Sequence, residues 1–76
     1  MKINVVFFAG LREKKGEGQS LVTLNNRATI NTLMETFDGF FDGMTVLCSL
    51  NHQYVDKTAA LKDGDEVAFF PPVTGG

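Results

Sequence analysis

The apolar positions at the start of the chain alternate and predict a strand. Residues 2–8 are rich in β-branched and aromatic types and end at Ala9-Gly10. Successive side chains on a strand point to opposite faces. Ile3, Val5 and Phe7 therefore share one face, and Lys2, Asn4, Val6 and Phe8 the other. The second face opens on a charge and an amide, so it is assigned outward. That turns Phe8 away from the core.

Residues 12–18 are charged and bounded by glycines, which predicts a loop or hairpin connection. Residues 19–24 read as a second strand, and Asn25-Asn26 as a breaker. Thr29 can cap a helix, because its hydroxyl can accept from an orphan main-chain N–H. After it, Ile30, Leu33, Met34 and Phe37 fall at helical spacing on one face. Asp38-Gly39 and Asp42-Gly43 interrupt that pattern, so the regular helix should end near Asp38 and give way to a tighter turn.

Residues 45–50 predict a third strand, with Val46, Cys48 and Leu50 on one face. Asn51-His52-Gln53 reads as a turn and residues 54–55 as a short fourth strand. Lys62-Asp63-Gly64-Asp65 is a turn signal, since glycine reaches positive φ freely. Residues 66–70 form the last strand, with Val67 and Phe69 inward and Glu66, Ala68 and Phe70 outward. Pro71-Pro72 stops it, because neither can donate to a ladder. The predicted order is β-β-α-β-β-β. One helix covers only one face of a sheet, so the class is α+β, a helix on a small mixed sheet in the β-grasp, ubiquitin-like manner. Residues 1–72 are expected to be the domain and residues 73–76 a flexible tail.

Composition narrows the function. The 76 residues are 43% hydrophobic and 21% charged, which disfavours disorder. Seven Lys+Arg against nine Asp+Glu give a net charge of −2, without the basic excess of a nucleic-acid binder. A lone cysteine cannot close an internal disulfide, which excludes the stapled secreted class. No apolar run approaches the roughly 18–20 residues of a membrane span, and charged residues 12–15 follow the first apolar stretch where a cleavage site would be needed. A cytoplasmic protein is expected.

Side-chain catalysis finds little support. Cys48 lies mid-strand on an apolar face, where a thiol is usually an inert core group. His52 sits in a turn with no second ligand at metal spacing, so no metal site is expected. Asp63, Asp65 and Glu66 flank Gly64 and read as a solvated turn more readily than as an acid–base pair. Gly10, Gly16 and Gly18 lack the Lys-Ser/Thr of a phosphate loop.

What remains is the end of the sequence, Val73-Thr74-Gly75-Gly76. A frayed end could look the same. The proline pair, however, detaches these residues from the sheet, and four residues reach about 14 Å. Glycine has no side chain, so the last two residues can thread a slot closed to other types. They present an α-carboxylate of ordinary pKa, about 3.3–3.7. Activated as an acyl adenylate, that group becomes an electrophile, and its product is an ester, an amide or a thiocarboxylate.

The sequence from Leu61 through Asp63-Gly64-Asp65-Glu66-Val67-Ala68-Phe69-Phe70-Pro71-Pro72-Val73-Thr74-Gly75-Gly76 closely resembles the end of the small, sulfur-carrier subunits of molybdopterin synthases, and residues 5–13 (VVFFAGLRE) resemble their start. Residues 14–50 match only in the order of elements. The resemblance implies a β-grasp fold and a terminal glycine, here Gly76, that is adenylated by a ubiquitin-activating-like enzyme using ATP and magnesium. Sulfur from a cysteine desulfurase system then gives a thiocarboxylate. The large synthase subunit binds the tail, and the sulfur passes to cyclic pyranopterin monophosphate; two carriers serve two large subunits. The carrier itself holds no cofactor. The basic run Glu13-Lys14-Lys15 and the glycine-rich residues 38–43 depart from the family pattern.

Three other readings stay open: a thiamine-pathway sulfur carrier, a ubiquitin-like modifier, and a non-catalytic β-grasp interaction domain. Strand alternation also predicts a partner surface. Phe8, Tyr54 and Phe70 are expected to form one apolar patch leading into the tail, because clustered exposed aromatics usually mark a binding site.

Overall fold

A computed structural model describes residues 1–72, so Val73, Thr74, Gly75 and Gly76 lie outside the described residues. Seven elements follow one another: β1 (Lys2–Phe7), α1 (Gly10–Lys15), β2 (Gln19–Thr23), α2 (Ile30–Glu35), β3 (Leu47–Leu50), β4 (Gln53–Tyr54) and β5 (Glu66–Phe70). The strands form one mixed sheet in the order β2-β1-β5-β3-β4. β1 and β5, from opposite ends of the chain, run parallel at its centre, and the other pairs are antiparallel.

The alternation in β1 and β5 sets the core as expected. Ile3, Val5, Phe7, Val67 and Phe69 are buried on one face beneath Ile30 and Leu33 of α2. Phe7 lies at the middle of an aromatic group. Phe37 and Phe40 meet its ring edge-on at 5.4 and 5.7 Å, and Phe69 stacks on it at 6.1 Å. Such pairs add about 0.5–1.5 kcal/mol beyond their buried area.

Two expectations need correction. Residues 12–18 are not a simple loop, because α1 occupies Gly10–Lys15 and makes the order β-α-β-α-β-β-β. Its one apolar anchor, Leu11, is buried, and Gly16 closes it at φ 84° with its N–H on Arg12 O. Charged side chains hide so short a helix from the apolar pattern, yet two of them pack on the core. Lys14 Nζ lies 5.4 Å from the Phe40 ring centroid and Lys15 Nζ 5.7 Å from that of Phe37.

The second helix also ends earlier than Asp38. Thr29 caps it in a reciprocal box, Thr32 N–H to Thr29 Oγ1 and Thr29 N–H to Thr32 Oγ1. Regular structure stops at Glu35, and tighter turns follow, with Phe37 N–H on Met34 O and Asp38 N–H on Glu35 O. Thr36 Oγ1 donates to Leu33 O at 2.7 Å and competes for that carbonyl. Phe41, at the far end of this segment, is still buried.

Candidate functional site

On the face of the sheet away from the helices, large apolar side chains are exposed, although Ala68, expected outward there, is buried. The register there is fixed by the pairs Phe7↔Phe69, Leu47↔Phe70 and Ser49↔Tyr54. The row at the C-terminal end of β5 therefore reads Phe8, Phe70, Leu47. Tyr54 stands one step back, beside Ser49. Phe8 is 50% exposed, Leu47 40% and Tyr54 80%. Phe70 is half-buried, less open than strand alternation alone predicts. The Tyr54 ring meets it edge-on at 5.6 Å and Leu47 pairs with it. The three residues expected to form a patch thus lie on one face, with Tyr54 and Phe70 in contact and Phe8 beside Phe70 by register.

Local chemistry holds each residue there. Phe8 N–H donates to Phe69 O at 3.1 Å, and Ala9, at φ 52°, turns the chain into α1. Tyr54 is carried by a tight hairpin whose loop residues, Asn51 and His52, have φ of 50° and 71°. Positive φ at both loop positions matches the twist of the flanking strands. Phe70 ends the central strand, and Pro71-Pro72 follow it. Leu47 was legible too, since inward Val46 and Cys48 leave it outward, and the sequence reading passed over it.

The acidic residues around Gly64 organise the opposite end of β5. Asp63 Oδ1 accepts from Lys2 N–H at 2.7 Å and Asp65 Oδ2 from Lys62 N–H at 2.8 Å. Asn51 clamps the same turn: its Nδ2 donates to Asp65 Oδ1, its Oδ1 accepts from Glu66 N–H, and its N–H donates to Glu66 O. These carboxylates serve the turn, as the solvated-turn reading expects. His52 Nε2 lies 3.5 Å from Glu66 Oε2 at the surface.

Cys48 is buried, and its Sγ donates to Val55 O at 3.4 Å. Burial pushes its pKa above the ordinary thiol value; Lys57 opposes this and Asp56 adds to it. A thiol held protonated inside the core is a poor nucleophile. Among the described residues, no group of three or more His, Cys, Asp or Glu side chains could hold a metal ion, and no helix is long and apolar enough to cross a membrane.

The sequence from residue 5 to residue 76 matches the family model for the ThiS family. The chain belongs to the ThiS family. This ThiS-family chain is 37% identical to a molybdopterin synthase sulfur carrier subunit from Chlamydomonas reinhardtii, over 100% of both chains. It is also 37% identical to the subunit of that name from Escherichia coli (strain K12), over 97% of this chain and 99% of the relative. Among solved structures, it resembles a complex of subunits 1 and 2 of molybdopterin-converting factor from Helicobacter pylori, with TM-score 0.70, 26% identity and full coverage of both chains. SAMP1 from Haloferax volcanii shares the fold at TM-score 0.86, with 24% identity and full coverage of both chains. The β-grasp fold expected from the order of elements is that of these neighbours.

Proposed function

We propose that this chain is a sulfur carrier for molybdopterin synthesis and that Gly76 carries the sulfur. The observation that carries this reading is 37% identity, over full length, to a molybdopterin synthase sulfur carrier subunit. The family match also runs through Gly76. The described residues contribute a docking face rather than a reaction centre. Phe8, Leu47, Tyr54 and Phe70 surround the point where the chain leaves the sheet through Pro71-Pro72.

The chemistry is that of a main-chain carboxylate. A Gly76 carboxylate oxygen attacks the α-phosphorus of ATP, pyrophosphate leaves, and an acyl adenylate forms. The terminal sulfur of a donor persulfide, supplied by a cysteine desulfurase system, attacks the acyl carbon and AMP leaves; a second thiol then reduces the resulting acyl disulfide, carrying the donor sulfur away as a new disulfide and leaving the terminal thiocarboxylate. Transfer of that sulfur to cyclic pyranopterin monophosphate, with water supplying oxygen, restores the carboxylate. ATP and magnesium belong to the activating enzyme, and this chain holds no cofactor. A ubiquitin-activating-like enzyme and the large synthase subunit dock in turn on the outer face, in the cytoplasm. The Helicobacter pylori complex, in which subunit 1 is paired with subunit 2, supports the second of these partners.

The experiment is affinity purification of the chain from its native cell, with intact-mass analysis. The expected result is a fraction heavier by the difference between one sulfur and one oxygen, together with a large synthase subunit. Ladders of protein conjugates, or a thiamine-pathway partner in place of the synthase subunit, would contradict the proposal.

A further inference from the structure

Among the described residues β2 is an edge strand, paired only with β1. Phe7 N–H donates to Gly18 O and Leu24 N–H to Met1 O. The alternation of an antiparallel ladder then turns the main chain of Ser20 and Val22 toward β1 and that of Gln19, Leu21 and Thr23 toward the open edge. Edge strands are normally protected by charge, proline or a bulge. Gln19–Thr23 has no charged residue and no proline, and its register with β1 is unbroken. Leu21, at its middle, is 62% exposed.

We propose that this edge pairs with the same edge of a second copy, antiparallel about a two-fold axis through Leu21, to form a weak reversible homodimer. The strand is complementary to itself in that register. Leu21 faces Leu21, and Gln19 faces Thr23. Each of these pairs can exchange two main-chain hydrogen bonds. The flanking charges fix the direction: exposed Glu17 precedes the strand and exposed Arg27 follows it. Antiparallel pairing sets the Glu17 end of one copy beside the Arg27 end of the other, whereas parallel pairing sets like charges together. Glu17 also lies 3.5 Å from Lys15 of its own chain, which moderates this contribution. The result is one continuous ten-stranded sheet, an isologous interface, with the Phe8, Tyr54 and Phe70 face of each copy left open. The inference does not depend on the sulfur-carrier reading.

Sedimentation of the wild type from about 10 µM to about 1 mM, where dimers of a few kcal/mol become visible, tests it. The expected result is a monomer–dimer equilibrium whose dissociation constant rises by at least about tenfold in Leu21→Lys, with the Phe70→Ala variant dimerising like the wild type. Under mild oxidation Leu21→Cys should cross-link to itself, because facing residues of a hydrogen-bonding pair lie about 5.5 Å apart at Cα, within disulfide range. Ser20→Cys, on the other face and out of register, should not. A strict monomer throughout, a dimer indifferent to Leu21→Lys, or equal cross-linking of the two cysteine variants would overturn the proposal.

Discussion

Tyr54 meets Phe70 edge-on, with ring centroids 5.6 Å apart and planes at 67°, across the register of two different strand pairs. This contact joins the hairpin of β3 and β4 to the last residue of β5, from which the chain departs toward Gly76. Under the proposed function, a partner that grips the two rings holds the end of the strand that residues 73–76 follow in sequence.

The first prediction tests that coupling. Phe70→Ala should weaken binding to the large subunit and to the activating enzyme by about 2 kcal/mol or more, the scale of an aromatic hot spot. Far-ultraviolet circular dichroism should remain that of the folded protein. Titration calorimetry on Phe70→Ala and on the Phe8→Ala/Phe70→Ala double variant checks it. Unchanged affinity of the double variant for both partners would refute the patch.

Cys48 should prove structural. In Cys48→Ser the hydroxyl inherits Val55 O as acceptor, so the cost should fall at the low end of about 1–3 kcal/mol. Sulfur loading should be unchanged in Cys48→Ser and in Cys48→Ala. Loss of transfer in a folded Cys48→Ala protein would reopen a thiol relay.

The same thiol predicts a pH dependence. Burial raises its folded-state pKa above the unfolded value, so the folded state holds the proton more tightly. Its contribution is complete below the unfolded thiol pKa and is lost as pH rises from there through the folded value. Urea melts at increasing alkaline pH should show a decline in the wild type that is shallower in Cys48→Ala. Parallel curves would contradict this origin.

Asn51 is the clamp of the β5 turn, so Asn51→Ala should destabilise the fold by about 1–3 kcal/mol. Its side chain holds Asp65 and the Glu66 N–H, and its φ of 50° disfavours alanine. Thermal melts report the loss. Sulfur transfer by the remaining folded protein should be normal.

How far the sequence could be read depended on whether neighbouring contacts were local. The faces of β1 and β5, the Thr29 cap and the Gly64 turn were legible because period and cap chemistry act within a few residues. α1 was not, because one leucine among charged residues makes no pattern, and Lys14 and Lys15 meet Phe40 and Phe37 only after the chain folds. The stop of α2 at Glu35 comes with a Thr36 hydroxyl bond to Leu33 O, and with positive φ at Asp38 and Gly39, that no periodicity encodes. In the patch, alternation turned Phe8 and Phe70 outward, while Tyr54 was expected only on a neighbouring short strand and joins their face through the β3–β4 and β3–β5 registers. The half-burial of Phe70 came from Tyr54 and Leu47, whose strands reach it through tertiary pairing.

Deleting Gly76, or adding one residue after it, should abolish sulfur transfer without lowering the melting temperature, since no core residue changes. A bulky residue in place of Gly75 should do the same by blocking the slot. Full activity in any of these would contradict a main-chain carrier.

The most direct measurement is fragmentation mass spectrometry of the whole chain after it is incubated with its activating enzyme, ATP, magnesium and the sulfur donor. One oxygen should be replaced by sulfur in the fragments containing the Gly76 carboxyl and in no others. Sulfur found on Cys48, or no sulfur on Gly76 while transfer proceeds, would contradict it.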